Sequence, residues 1–160
     1  PKFFEMKDPI NPNAYKRRAA YISAMERLGL EPELLQVNGD GWNFEEIGFT
    51  SGRKIFQNSR YIGATILCSN DRLAIGLMSA AYESGLKVGH AAEFDLRIAG
   101  HDDHPFSRYT CPSLTTISQD YDEIGERSVS EMLKIIDGTN GITERTEKLF
   151  EGRLVMRSSA

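Results

Sequence analysis

The segment from residue 64 to residue 86, ATILCSNDRLAIGLMSAAYESGL, constrains the fold more than any other part of the sequence. Its apolar run, Ala64 to Cys68, predicts a short buried strand. The polar tripeptide Ser69-Asn70-Asp71 then predicts a helix start, because such side chains accept hydrogen bonds from the free N–H groups of a first helical turn. Apolar residues recur at helical spacing up to Gly85, which is expected to form a left-handed C-cap. The segment therefore predicts a strand, a polar elbow and a helix.

The same alternation of strands and helices extends along the whole chain. The predicted strands span residues 2–6, 33–37, 64–68, 94–99, 114–118 and 148–156, and the predicted helices span residues 14–28, 44–57, 71–84 and 124–136. This order predicts βαβ units, an α/β fold and a mostly parallel sheet. Ligands bind such sheets at the carboxyl ends of the strands, so the polar elbow is the first candidate site. In the last helix, apolar spacing predicts an inward face made of Ile124, Val129, Met132, Leu133 and Ile136.

The composition excludes several classes of protein. The 160 residues suffice for one domain, and the net charge of -4 argues against a nucleic-acid-binding surface. No apolar run reaches the roughly 20 residues that cross a bilayer, so no membrane partner is expected. The two cysteines are too few for a disulfide framework and fit a cytoplasmic setting. The chain has no initiator Met and begins close to a predicted strand, so we expect a fragment of a longer protein.

Five short motifs occur in a fixed order along the chain. They are CSNDRLAIG at 68–76, GLKV at 85–88, IAGHDDHP at 98–105, YTCPSLTTISQ at 109–119 and LVMRSS at 154–159. In this order and spacing they resemble the effector-binding domain of the LacI/GalR family of bacterial transcription regulators, most firmly over residues 63 to 160. The resemblance implies sensing of a small effector, expected to be a sugar or sugar derivative. The effector would act allosterically on operator DNA, which is bound by an N-terminal helix-turn-helix that this sequence lacks.

The resemblance also implies a fold and its boundaries. Family members are similar to periplasmic sugar-binding proteins of type I, with two α/β lobes, each a three-layer sandwich, joined by crossover strands around the ligand cleft. This chain is expected to be a partial effector-binding domain, mainly the C-terminal lobe plus a remnant of the N-terminal lobe. Residues 1–8 and about 147–160 are assigned to the N-terminal lobe or to packing on it. Residues from about 14 to 146 are assigned to the C-terminal lobe and the crossover.

Four polar residues are expected to bind the effector, because they match family positions: Arg17, Asn70, Asp102 and Gln119. Guanidinium donors and carboxylate acceptors suit the hydroxyl groups of a sugar. Plainer interpretations remain open. Arg17 would then lie on a solvated basic face, Asp102 would be a turn residue, and Gln119 would hydrogen-bond to backbone groups at the strand ends. The neighbouring Asp71 is expected to cap the helix, and Asp103 to brace its loop.

An aromatic side chain is expected to stack on the effector in the loop before the second helix. Trp42 and Phe44 compete for this role, because Gly41-Trp42-Asn43-Phe44 is one residue longer than the common family pattern. Trp42 is equally compatible with anchoring the loop or the core. The family often has an aromatic residue where this chain has His101, so the ligand contact at that position departs from the pattern.

The helix 71–84 and the loop 104–111 resemble the surfaces that build the two-fold dimer of the family. A homodimer interface is therefore expected, and about half of its candidate residues also fit ordinary core positions. The candidates are Ile75, Met78, Tyr82, Phe106 and Tyr109.

Other functions have less support in the sequence. A periplasmic sugar-binding protein of a transport system would share the fold. The run from His101 to His104 suggests a metal site, but adjacent residues on one turn rarely converge on one ion, so neither metal nor cofactor is expected. An enzyme could use one of these histidines as a base, with Ser107 or Cys111 as the nucleophile. Since no nucleophile elbow, phosphate-binding loop or HExxH motif occurs, we expect no enzymatic activity.

Overall fold

A four-stranded parallel sheet forms the centre of the protein. The structure is a computed structural model, which describes residues 1–6, 12–39, 42–138 and 148–160. The strands are β1 (Lys2–Met6), β2 (Glu33–Val37), β3 (Thr65–Cys68) and β4 (Arg97–Ala99). Their spatial order is β2-β1-β3-β4, and each neighbouring pair is parallel. The prediction of a mostly parallel sheet is confirmed.

Helices within the described ranges cover both faces of this sheet. They are α1 (Pro12–Arg27), α2 (Phe44–Ile55) and α3 (Asp71–Glu83), and a further helix, α4 (Tyr121–Ile136), follows later in the chain. Successive residues of a strand point to opposite faces. Phe3 of β1 therefore packs with Tyr21 of α1, whereas Phe4 joins the larger core formed by α2 and α3. The arrangement is the predicted three-layer α/β sandwich. None of the described helices is long and apolar enough to span a membrane.

The strand order produces a crevice beside β1. The helix that follows β1 lies on one face of the sheet, and the helix that follows β3 lies on the other face. The chain thus leaves the carboxyl ends of two neighbouring strands in opposite directions. Open α/β sheets bind ligands at such a point, so the fold itself indicates where a site would form.

Two glycines allow α2 and α3 to pack closely where they cross. A Cβ atom at Gly76 would lie 2.0 Å from the carbonyl oxygen of Glu45, and one at Gly48 would lie 2.4 Å from the carbonyl oxygen of Leu73. Both obstacles are backbone atoms, so a side chain at either position would push the helices apart. The contact therefore fixes where the first turn of α2, which carries Phe44, sits relative to the start of α3.

The end of the chain covers the outer edge of β4. After β5 (Thr116–Ser118) and β6 (Arg153–Val155), which form an antiparallel pair, the chain returns to the main sheet. The buried hydroxyl of Ser159 donates to the carbonyl oxygen of Ile98 (2.6 Å) and accepts from the N–H of Thr115 (2.9 Å). The N–H of Ile98 donates to the carbonyl oxygen of Ser159 at 3.0 Å. These bonds satisfy backbone groups that an open sheet edge would leave unpaired.

Both ends of the described chain lie in or on the main sheet, and the expected lobe boundaries stay a prediction. The sequence assigns residues 1–8 to an N-terminal lobe or to packing on it, and in the structure β1 is an interior strand of the main sheet, between β2 and β3. The segment of about 147–160 has the same assignment, and its residues 157–160 also pack on the main sheet through Ser159. Strand pairing over long sequence separations decides these contacts, and the order of motifs does not reveal it. Residues 7, 8 and 147 lie outside the described residues.

The inward face predicted for α4 is exposed instead. No residue of α4 is buried, although Ile124 is half-buried. The remaining four residues of the predicted face are more than half exposed: Val129 (58%), Met132 (60%), Leu133 (53%) and Ile136 (71%). Apolar spacing identifies the apolar side of a helix but not the surface that covers it. Within the described part of the chain, α4 therefore extends away from the core.

Candidate functional site

A cleft of about 490 Å³ is lined by segments that follow β1, β3 and β4. It lies where the strand order places the crevice, with the first turn of α2 as a further wall. Five of the six residues expected to bind an effector line it: Arg17, Trp42, Phe44, Asn70 and Asp102. The sixth, Gln119, donates a hydrogen bond to Asp102. The structure therefore brings all six candidates to one place from distant parts of the chain.

Arg17 and Asp102 form an ion pair in the cleft. The Nη2 of Arg17 donates to the Oδ1 of Asp102 at 2.6 Å, and its Nη1 lies 3.4 Å from Oδ2. The same Nη1 donates to the carbonyl oxygen of Ser69 at 2.6 Å, which ties α1 to the end of β3. Both side chains are largely shielded from solvent, so Arg17 is not part of a solvated basic face.

The two oxygens of the Asp102 carboxylate differ in their partners. Besides Arg17, Oδ1 accepts from the Nε2 of Gln119 (2.7 Å) and lies 3.1 Å from the Nδ1 of His101. The second oxygen, Oδ2, has only the long contact to Arg17 among the described residues. Burial alone would raise the pKa of Asp102, but hydrogen bonds from His101 and Arg17 outweigh it and hold the pKa below its ordinary value. Asp102 stays ionised at neutral pH, with one oxygen available to a ligand.

The backbone at Asp102 adopts a conformation that residues with a Cβ atom rarely adopt. Its φ is +119°, and that of Asp103 is +50°. Such backbone costs free energy and persists where surrounding contacts enforce it, which occurs often at ligand sites. Here the Arg17, Gln119 and His101 contacts hold the Asp102 side chain, and the strained turn directs it into the cleft.

The Asp102→Asn variant is expected to lose about 1–2 kcal/mol of unfolding free energy at neutral pH, because the bonds to Arg17 lose their charge. The pKa of Asp102 is depressed on folding, so its stabilisation is present above the unfolded pKa, about 3.9, and is lost as the pH falls through the folded value. Urea unfolding curves should show a difference from wild type that persists at pH 5 and shrinks below about pH 4. A difference that is undiminished at pH 3 would contradict the depressed pKa.

The aromatic wall of the cleft consists of one exposed and one buried ring. Trp42 is 75% exposed, whereas Phe44 is 8% exposed. The two rings meet edge to face, with their centroids 5.8 Å apart and an interplanar angle of 90°. The guanidinium of Arg72 lies 5.4 Å from the centre of the Phe44 ring. Trp42 is thus the solvent-exposed ring of the pair, and which of the two rings stacks on an effector stays a prediction. Gly41, in the same predicted pattern, lies outside the described residues.

The helix cap at the polar elbow is Asn70, and the expectation that Asp71 caps α3 is wrong. The Oδ1 of Asn70 accepts from the N–H of Leu73 at 2.8 Å. The Asp71 side chain is fully buried beneath the elbow. Its carboxylate accepts from the N–H of His104 (2.8 Å), the hydroxyl of Ser107 (2.6 Å) and the hydroxyl of Thr116 (2.6 Å). Asp71 therefore ties the loop after β4 and the start of β5 to α3.

The prediction that Asp103 braces its loop agrees with its contacts. The Nη2 of Arg157 donates to the Oδ1 of Asp103 at 2.6 Å, and the Nη1 of Arg157 donates to the carbonyl oxygen of Leu114 at 2.8 Å. The side chains from His101 to His104 do not converge on one point, because His101 contacts Asp102, Asp103 binds Arg157 and the Nδ1 of His104 accepts from the N–H of Phe106. Among the described residues, no group of three or more His, Cys, Asp or Glu side chains could hold a metal ion.

The residues expected at a dimer interface fall into exposed and buried groups. Tyr82, Phe106 and Tyr109 are exposed, Ile75 is half-buried and Met78 is buried. Ile75, Met78 and Tyr82 line one groove on α3. The interface itself stays a prediction.

Sequence reasoning missed an ion pair beside the aromatic wall. The Nε and Nη2 of Arg72 donate to the two carboxylate oxygens of Glu45 at 2.6 and 2.7 Å. The pair joins the first turns of α2 and α3. The two residues are 27 positions apart in the sequence, and only the close crossing of these helices brings them together.

A family model described as a periplasmic binding protein-like domain matches residues 3–160. The chain is 38% identical over 126 residues to the lactose operon repressor of Escherichia coli (strain K12), which covers 79% of this chain and 33% of the repressor. It is 32% identical over 118 residues to the ribose operon repressor of the same organism, with coverages of 73% and 34%. The chain therefore matches about a third of the length of these relatives.

The fold also matches solved structures. A crystal structure of the Lac repressor bound to ONPG in the repressed state superimposes with a TM-score of 0.80 at 29% sequence identity. The match covers 99% of this chain and 45% of that one. The resemblance inferred from the five motifs is confirmed. The chain belongs to the periplasmic binding protein-like domain family, and within it to the effector-binding domains of LacI/GalR-type transcriptional regulators.

Proposed function

We propose that the cleft binds a small polyhydroxylated effector, a sugar or sugar derivative, and that binding changes the affinity of the full-length regulator for operator DNA. The observation that carries the proposal is the Arg17–Asp102 pair facing an aromatic wall in one cleft. Sugar hydroxyls can donate to the Oδ2 of Asp102, whose contact among the described residues is the 3.4 Å one to Arg17, and the apolar face of a sugar ring can stack on Trp42. The names of the lactose and ribose operon repressors also fit a sugar effector.

Coupling to DNA would act through linkage rather than catalysis. Gln119 and Tyr121 both contact Asp102, the latter through a hydrogen bond of 2.9 Å from its hydroxyl to the Asp102 carbonyl oxygen. Gln119 lies between β5 and α4, and Tyr121 is the first residue of α4. An effector that binds Asp102 more tightly in one arrangement of the segment that links β5 to α4 would shift the population toward that arrangement.

The proposal also specifies partners. Two copies would pair through the surface that carries Tyr82, Phe106 and Tyr109, whose rings are exposed. Operator DNA would be bound by a helix-turn-helix segment rather than by residues 1–160, whose net charge of -4 disfavours contact with phosphates. The regulator would act in the cytoplasm, and it would not be an enzyme. A role in periplasmic transport has less support, because the relatives compared above are repressors.

Calorimetric titration of the full-length protein with neutral sugars and polyols tests the proposal. We expect saturable micromolar binding of at least one sugar, weakened about 30-fold by Asp102→Asn, which corresponds to about 2 kcal/mol for a lost charge-assisted contact. The exposed Glu93→Gln variant, which removes a carboxylate outside the cleft, should bind like wild type. Binding that survives Asp102→Asn would move the site elsewhere, and no binding of any sugar would overturn the sugar assignment.

A further inference from the structure

We propose that Glu45, through its pairing with Arg72 in the cleft lining, determines the specificity of the cleft and disfavours effectors that carry a phosphate or carboxylate group. The inference rests on the function proposed above and defines its substrate class as a neutral polyhydroxylated molecule. It concerns a pair of side chains that lies beside the Arg17–Asp102 site and is not part of it.

The geometry of the Glu45–Arg72 pair neutralises a guanidinium in the cleft wall. Arg72 lines the cleft, and its Nε and Nη2 donate to the two oxygens of Glu45 at 2.6 and 2.7 Å. Such two-point pairing holds a guanidinium in one orientation. The hydrogen bonds from Arg72 hold the pKa of Glu45 below its ordinary value, so the pair stays ionised at neutral pH. A phosphate near Arg72 would therefore meet the Glu45 carboxylate as well.

The remaining charged side chains of the described cleft lining also disfavour an anionic ligand. The other lining guanidinium, Arg17, already holds the Asp102 carboxylate. Asp71 adds a buried carboxylate, whose described partners are hydroxyl and N–H groups rather than cations. Each arginine is thus matched by a carboxylate, and a further anion would enter against like charges, which costs binding free energy. A neutral polyol meets acceptors and an aromatic face without that cost.

The same two helices carry a second pair that serves as a control. Arg53 of α2 and Glu83 of α3 approach at 3.3 Å between Nε and Oε2, near the opposite ends of the helices. Both side chains are more than half exposed, and neither residue lines the cleft. Glu83→Gln therefore removes the same charge from the same helix contact, outside the site.

The first experiment measures the binding of neutral sugars and of their 6-phosphates by the full-length protein. We expect wild type to prefer a neutral sugar over its phosphate ester by at least about tenfold. Glu45→Gln frees Arg72 and should raise the affinity for the phosphate ester about three- to tenfold relative to the neutral parent. Glu83→Gln should leave the ratio unchanged. Equal or tighter binding of the phosphate ester by wild type would overturn the inference, while the proposed sensing function would stand.

The second experiment uses fluorescence quenching to measure the charge of the cleft in the absence of any effector. Trp42 is the sole tryptophan of residues 1–160 and stands at the cleft beside Phe44, so its fluorescence reports the local potential once any tryptophan elsewhere in the full-length protein is replaced by phenylalanine. Iodide is an anion and acrylamide is neutral, so the ratio of their quenching constants for Trp42 depends on the charge nearby. At low salt this ratio should rise about 1.5-fold in Glu45→Gln, which removes a negative charge, and fall in Arg72→Gln, which removes a positive one. Glu83→Gln should match wild type. If neither neutral sugars nor phosphate esters bind, the proposed function fails, and this comparison still decides the inference. Equal quenching in all four proteins would overturn it.

Discussion

The Asp71→Ala variant is expected to lose about 3–5 kcal/mol of unfolding free energy, because three buried donors lose their acceptor. The carboxylate accepts from the hydroxyls of Ser107 and Thr116 and from the N–H of His104, and it is fully buried. These donors come from the loop after β4 and from β5, so their release should loosen both segments. Urea unfolding followed by circular dichroism measures the loss.

Glu93→Ala is the control for Asp71→Ala, because it removes an exposed carboxylate. It should change the unfolding free energy by less than about 0.5 kcal/mol. A loss below about 1 kcal/mol in Asp71→Ala would contradict the prediction, since it would mean that the three donors find other partners at little cost.

The Gly76→Ala variant is expected to lose about 2–4 kcal/mol, because the added Cβ would lie 2.0 Å from the carbonyl oxygen of Glu45. Relief requires the backbones of α2 and α3 to separate, which would also shift Phe44 and the Glu45–Arg72 pair at the cleft. The effector affinity should therefore fall together with the stability. Urea unfolding and calorimetric titration measure the two effects.

Gly125→Ala gives the matched control in another helix. A Cβ at Gly125 meets no atom within 4 Å, so alanine should raise the unfolding free energy by about 0.5–1 kcal/mol through its higher helix propensity. If Gly76→Ala lowers the unfolding free energy and Gly125→Ala raises it, the two results separate the effect of close helix packing from that of helix propensity. A neutral or stabilising Gly76→Ala would show that the helix contact is more adaptable than its geometry indicates.

Local sequence patterns predict the elements of this fold well. The elbow after β3 combines strong strand, cap and helix signals, and the predicted helix 71–84 differs from α3 by one residue. The family motifs then indicate which polar residues share a cleft, and the structure places Arg17 and Asp102 2.6 Å apart. Local signals thus predicted the strands and helices, and the resemblance implied the layers and the residues that share the cleft, but neither predicted the ion pair between Arg17 and Asp102.

The remaining features depend on contacts that local patterns do not encode. Asp71 looks like a helix cap in sequence, but its partners lie 33, 36 and 45 positions away. The apolar spacing of α4 predicts an apolar face correctly, yet the described residues leave that face exposed. The position of β1 inside the main sheet follows from pairing with β2 and β3, which no motif records.

The bonds of Ser159 at the edge of β4 have a consequence for the order of folding. Ile98 and Ser159 are 61 positions apart, so this closure waits until Ser159 has been synthesised. Contacts of such large sequence separation slow folding, because the entropy of closing a long loop is lost before they form. During synthesis from the N-terminus, β1 to β4 can assemble before Ser159 is made, while β4 keeps an unpaired edge. That interval is when a newly made chain is most exposed to strand pairing with its neighbours.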